Sequence, residues 1–73
     1  MKSRRQIDRR SYEPPYLQLA NILQEQIASG IYLPGSRLPS ESKLCRTYHV
    51  SPMTVRRSIK DLVGRKIVRT VRG

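Results

Sequence analysis

The 73-residue chain is strongly basic, with a formal net charge of +10, and holds four tyrosines but neither phenylalanine nor tryptophan. A chain of this length buries only about 60% of the surface that it exposes when unfolded, which leaves little room for an enclosed catalytic cavity. Its single cysteine, Cys45, and single histidine, His49, exclude an internal disulfide and a four-ligand zinc site. No apolar run approaches the roughly 20 residues that cross a membrane. We therefore expect a cytoplasmic protein that is not an enzyme, with no catalytic residues, metal, cofactor or membrane partner.

The positive charge is concentrated towards the two ends of the sequence. Residues 1–10 hold five basic side chains and one acidic side chain, a net +4, and residues 11–36 hold only two acidic ones, a net −2. Residues 37–73 hold ten basic and two acidic side chains, a net +8. Positive charge that gathers on one surface indicates a polyanionic partner.

The first predicted elements are a basic arm and an amphipathic helix. Residues 1–15 are polar and arginine-rich, lack apolar periodicity and end in two prolines, so we predict a flexible arm. From Tyr16 the apolar residues recur at intervals of three and four, which predicts a helix of about four turns. Its apolar side comprises Tyr16, Leu19, Ala20, Leu23 and Ile27, with Gln18 among the polar residues between them. Ser29 and Gly30 end it.

Two further helix starts follow an extended stretch at residues 31–33 and a turn at Pro34-Gly35. Ser40 is placed to cap one helix, whose buried side consists of Leu44, Cys45 and Tyr48, and Ser51 is placed to cap the next, with proline at its first position. Only residues 49–51 separate the two helices, a spacing that is typical of a helix-turn-helix. We predict this motif over about residues 40–63, with its second helix over about 52–63.

The last segment is predicted to be a strand. Residues 66–73 are basic and β-branched and end in Gly73, the pattern of a strand that approaches a hairpin turn. No return strand follows it in the sequence. We therefore expect a mainly α fold with a small β wing, truncated at the wing tip, in a chain that is a piece of a longer protein.

The predicted third helix has two different sides. At about 100° per residue, its core side comprises Val55, Ile59, Leu62 and Val63, and its other side comprises Met53, Arg56, Arg57 and Lys60. Forked donors such as arginine bind guanine in the major groove, and small apolar groups contact a thymine methyl. The alternative is a solvated charged face with no binding role, as is common on surface helices. The neighbouring basic residues Arg37, Lys43, Arg46, Arg69 and Arg72 favour DNA binding over that alternative.

The order of short motifs carries a family resemblance. These motifs are YLQLA at residues 16–20, IASG at 27–30, PGSRLPSE at 34–41, VS at 50–51 and TVR at 54–56. Residues 16–73 resemble the N-terminal domain of the GntR family of bacterial transcription regulators, most closely its HutC-like or YtrA-like branches. The resemblance implies a winged helix-turn-helix (a three-helix bundle plus a β-hairpin) that binds palindromic operators as a homodimer. It also implies a small-molecule effector bound by a C-terminal domain that this chain lacks.

The resemblance and the charged face together give one set of expected DNA-binding residues. The set is Arg37, Ser40, Ser51, Met53, Thr54, Arg56, Arg57, Lys60, Arg69, Arg72 and Gly73. Three positions depart from the family pattern: Pro52 and Ser42 stand where arginine is frequent, and Lys66 replaces a glycine. The operator preference of the family is therefore not carried over, and Arg57 is a candidate to compensate for Pro52.

Three functions remain open from the sequence. A sequence-specific repressor predicts salt-dependent binding with a sequence preference. A nonspecific or RNA-binding module predicts the same salt dependence without the preference. The third function is an interaction module that docks a partner through Leu19, Leu23 and Ile27. In that case, reversing the charge of Arg56 would not displace nucleic acid.

Overall fold

The computed structural model describes residues 6–31 and 38–66, which form three helices. The helices are α1 (Pro15–Ala28), α2 (Glu41–Tyr48) and α3 (Pro52–Gly64). The mainly helical class is confirmed, and α1 begins one residue earlier than the sequence predicts. Proline is well placed at the first position of a helix, because its missing N–H has no helical partner there. The predicted wing strand and the Pro34-Gly35 turn lie outside the described residues.

The core is formed where α1 and α2 pack against α3. Its buried apolar side chains are Leu19, Ala20, Ile22, Leu23, Leu44, Tyr48, Val55 and Leu62. Ile22 belongs to this core although the sequence pattern placed Ile27 there instead, and Ile27 is half-buried. Cys45 and Val50 pack against the edge of the core, partly buried. The apolar side of α1 is therefore centred nearer to Ile22 than the spacing indicated.

Two polar residues are buried between the elements, and both were missed as core residues. Ser58 of α3 is fully buried, and its hydroxyl lies 2.7 Å from the backbone carbonyl of Tyr16 and 2.9 Å from that of Thr54. A small side chain at this position allows α3 to approach the backbone of α1. Gln18 of α1 is 6% exposed, whereas the sequence placed it on the polar side of the helix.

The end of α1 follows the expected glycine-terminated pattern. Gly30 has a φ of +86°, a conformation that glycine adopts without a steric penalty. The amides of Gly30 and Ile31 donate to the carbonyls of Ile27 and Gln26, at 3.1 and 2.9 Å. These two bonds satisfy carbonyls that the last turn of a helix leaves free.

The segment before α1 contacts the helices over the residues that the structure describes. Ile7 packs against the core, and the backbone of Asp8 is hydrogen-bonded to the side chain of Gln18. The polar sequence of residues 1–15 predicted a flexible arm. Polarity does not reveal contacts of this kind, because they depend on residues that are distant in the sequence. Within residues 6–31 and 38–66, no helix is both long and apolar enough to cross a membrane.

Candidate nucleic-acid interface

The turn between α2 and α3 has a defined geometry. His49 ends α2 in the left-handed conformation, with φ 57° and ψ 49°. Its amide and that of Val50 both bond the carbonyl of Cys45, and Val50 packs against the core as the sequence predicted. A non-glycine residue in this conformation costs roughly 1–2 kcal/mol, so the turn is held by its surroundings.

Both predicted serine caps are present. The hydroxyl of Ser40 accepts from the amide of Lys43 at 3.1 Å, and the hydroxyl of Ser51 accepts from the amide of Thr54 at 3.2 Å. Ser51 also lies 3.1 Å from the hydroxyl of Thr54. Each cap satisfies one free amide in the first turn of its helix. Because Pro52 has no N–H, α3 has one free amide fewer at its start than α2.

Helix α3 presents the predicted face to solvent. Met53 is 70% exposed, and Arg56, Arg57 and Lys60 are exposed as well. The opposite side of the helix is anchored by buried Val55 and by Ser58 and Leu62 in the core. The exposed face therefore belongs to a helix whose rotation about its axis is fixed by packing.

Arg56 is held by an ion pair that crosses from α3 to α2. Its Nε lies 2.8 Å from Oε2 of Glu41, and its Nη2 lies 3.4 Å from Oε1. Its Nη1 lies 3.9 Å from the sulfur of Met53. The two carboxylate contacts use one edge of the guanidinium and leave the N–H groups of the other edge for a further acceptor.

Arg57 turns the other way, towards α1. Its guanidinium carbon lies 4.2 Å from the centre of the Tyr16 ring, a cation–π distance. The sequence pattern placed Arg56 and Arg57 together on one exposed face of the helix. In the structure each is paired with a different helix, because consecutive helical residues are about 100° apart. Tyr16, expected to fill the core, is only partly buried.

A polar cluster at the end of α3 was also missed. Arg65 forms an ion pair with Asp61 at 2.7 Å, and its Nη1 contacts Oδ1 of Asn21 at 3.0 Å and Oε1 of Gln24 at 2.5 Å. These contacts tie the residue after α3 to α1. Of these contacts, only the ion pair had a signal in the sequence, because Asp61 and Arg65 are opposite charges four residues apart.

Seven of the eleven expected residues lie in the helix-turn-helix that the structure describes. Ser40 precedes α2, Ser51 precedes α3, and Met53, Thr54, Arg56, Arg57 and Lys60 lie within the first nine residues of α3. Arg37, Arg69, Arg72 and Gly73 lie outside the described residues. Within residues 6–31 and 38–66, no group of acidic, cysteine and histidine side chains is arranged to hold a metal ion.

Comparison with known proteins gives consistent matches. The family described as bacterial regulatory proteins of the gntR family matches residues 15–73. The chain is 47% identical over 53 residues to the uncharacterized HTH-type transcriptional regulator YurK of Bacillus subtilis, covering 73% of this chain and 22% of that protein. It is 38% identical over 68 residues to the HTH-type transcriptional repressor YtrA of Bacillus subtilis, covering 93% of this chain and 52% of YtrA. The chain thus spans about a fifth to a half of these relatives.

A solved structure shares the fold. It is YtrA from Sulfolobus acidocaldarius, a GntR-family transcription factor, with a TM-score of 0.83 and 33% identity. The match covers 90% of this chain and 70% of that one. The winged helix-turn-helix class is therefore confirmed.

Proposed function

The chain belongs to the gntR family of bacterial regulatory proteins, which regulate transcription by binding DNA, and from that premise we propose that it is a repressor that reads duplex DNA with α3. The observation that carries the proposal is the capped, core-anchored helix α3, which presents Met53, Arg56 and Lys60 to solvent. A major groove about 12 Å wide admits one helix. Helix-turn-helix proteins place the N-terminal residues of the second helix against base edges.

Arg56 is the proposed base-reading residue. Glu41 holds one edge of its guanidinium at 2.8 Å, so the free edge has a restricted set of directions. A restrained fork suits the paired acceptors O6 and N7 of guanine. Met53 and Thr54, three and two residues closer to the start of α3, are placed for apolar contact with a thymine methyl.

The helix starts at Ser40 and Ser51 are proposed phosphate contacts. Each serine satisfies one amide through its cap, and the first-turn amides that remain, fewer in α3 because Pro52 has no N–H, are the kind of donor that binds phosphate at a helix start. Arg57 and Lys60 add positive charge along α3. Such contacts set the register of the protein on DNA without reading sequence.

The remaining parts of the proposal rest on the family. Arg37, Arg69, Arg72 and Gly73 would contact an adjacent groove or phosphates. The protein would bind a palindromic operator as a homodimer, with its DNA affinity altered by a small-molecule effector. Each half-site would then lie about one helical turn, 10–10.5 base pairs, from its partner.

A selection from randomised duplex DNA, with bound sequences counted at near-physiological salt, tests the proposal. Enrichment of a sequence with two half-sites about one turn apart is expected. Binding without enrichment would instead support a nonspecific or RNA-binding module, which the net charge of +10 also favours.

Arg56→Ala then tests the role of this residue. We expect binding to the enriched duplex to weaken by about 1–3 kcal/mol, the value of one bidentate base contact, and binding to a scrambled duplex to weaken less. Fluorescence anisotropy on both duplexes measures the difference. Equal losses would make Arg56 a phosphate anchor only.

A further inference from the structure

The segment before α1 is bound to the helix-turn-helix at a defined point. We propose that residues 6–14, named here the N-terminal strap, are a working part of the DNA-binding surface, with Arg9 as a positioning residue for the turn between α2 and α3. The inference rests on the proposed function. The family match begins at residue 15, so the strap lies outside it.

Gln18 docks the strap on α1. Its Oε1 accepts from the amide of Asp8 at 2.7 Å, and its Nε2 lies 2.9 Å from the carbonyl of Asp8 and 2.8 Å from that of Glu13. The buried Gln18 side chain thus bonds the backbone of the strap at two points, Asp8 and Glu13. A buried amide that makes three such bonds is costly to leave unpaired, which accounts for a glutamine on an otherwise apolar surface.

The strap has its own turn, which presents two arginines. The carboxylate of Asp8 accepts from the amide of Arg10 at 2.9 Å, and its carbonyl accepts from the amide of Ser11 at 3.2 Å. Ile7 packs against the core just before this turn. The turn is fixed on one side by an apolar contact and on the other by Gln18, so the fold holds the backbone from which Arg9 and Arg10 extend.

Arg9 reaches the turn of the helix-turn-helix. Its Nη2 donates to the backbone carbonyl of His49, the left-handed residue that ends α2. His49 lies two residues before Ser51, the cap of α3. The charged guanidinium of Arg9 on this carbonyl stabilises the turn, and the turn sets the angle between α2 and α3. The other N–H groups of Arg9 remain available for a phosphate beside the start of α3.

Arg10 provides a matched control for Arg9. Both are exposed strap arginines, so Arg9→Ala and Arg10→Ala remove the same charge from adjacent positions. Within the described residues, the Arg10 side chain makes no hydrogen bond or ion pair. A purely electrostatic role therefore predicts equal effects of the two substitutions.

The test measures the affinity of the protein and both variants for the enriched duplex and for a scrambled duplex. We expect Arg9→Ala to reduce the ratio of the two affinities about 2- to 12-fold, the range of one hydrogen bond. Arg10→Ala should lower both affinities by one common factor and leave the ratio unchanged. Gln18→Ala, which undocks the strap, should lower the ratio as Arg9→Ala does. Equal effects of Arg9→Ala and Arg10→Ala on the ratio would overturn the proposal.

Hydrogen exchange separates this inference from the proposed function. The amide of Val50 bonds the carbonyl of Cys45 within the turn. Its exchange should be faster in Arg9→Ala and unchanged in Arg10→Ala, in the absence of DNA. If the unaltered protein prefers no DNA sequence, the proposed function fails while this measurement still decides whether Arg9 holds the turn. Unchanged exchange in Arg9→Ala would overturn the role of Arg9.

Discussion

Replacing Glu41 with glutamine removes the negative charge that pairs with Arg56 and replaces one acceptor oxygen with an NH₂ donor, without changing the size of the side chain. The side chains of Arg56 and Glu41 are 63% and 41% exposed, so the pair is an exposed one that contributes about 0.2–1 kcal/mol. The loss of stability should not exceed that value. The same value of about 0.2–1 kcal/mol is the upper limit of the free energy with which the ion pair can hold the Arg56 side chain in the orientation that contacts DNA bases.

The effect of Glu41→Gln on binding should differ between specific and random DNA. Loss of up to about 1 kcal/mol of restraint should lower the ratio of specific to random affinity by about 1.4- to 5-fold. Affinity for random duplex should rise, because a carboxylate is removed from the surface and Arg56 becomes free for a phosphate. The slope of log affinity against log salt should then steepen by up to about 0.9.

Anisotropy titrations over a series of salt concentrations measure both effects, and Glu13→Gln is the control. Glu13 is an exposed carboxylate just before α1, and its replacement changes the net charge by the same amount. If Glu41→Gln and Glu13→Gln changed the two affinities equally, the ion pair would have no part in directing Arg56. An unchanged ratio with a steeper slope would also show that the ion pair does not direct Arg56.

Two predictions concern the packing and the capping of α3. Ser58→Leu should destabilise the fold by about 1–3 kcal/mol through overpacking at the α1–α3 contact, whereas Ser58→Ala should cost no more than about 1.5 kcal/mol. Thermal unfolding followed by circular dichroism measures both losses. Equal melting temperatures of the two variants and the unaltered protein would contradict the buried contact. Ser51→Ala should cost about 0.5–2 kcal/mol. Ser51→Asp should keep the cap and the stability but weaken DNA binding by repelling phosphate, and binding equal to that of the unaltered protein would place the start of α3 away from the DNA backbone.

The helices and their caps follow from local rules that the sequence displays. Ser40 and Ser51 precede helices because each hydroxyl satisfies a free amide within three residues. Gly30 ends α1 because the left-handed conformation is open to it. Such features depend on neighbours in the chain, so residue order alone is enough to predict them.

The polar pairings depend on tertiary geometry and escaped prediction. The sequence pattern indicates that Gln18 lies on the surface, but the strap covers it in the fold. Ser58 also resembles a surface residue in the sequence, but α1 packs against it. The partners of Arg56 and Arg57 lie 15 and 41 positions away in the sequence. Charge and periodicity placed both arginines on the exposed side, but only packing determines which helix each one contacts.

Methylation interference on the selected duplex is the most direct test of whether α3 reads the major groove. Methylation of guanine at N7 blocks the major groove, and methylation of adenine at N3 blocks the minor groove. If α3 lies in the major groove, we expect interference at guanine N7 in two clusters about one helical turn apart, with the effect reduced at one guanine of each cluster in Arg56→Ala. Interference confined to adenine N3, or none at either atom, would show that α3 does not read the major groove.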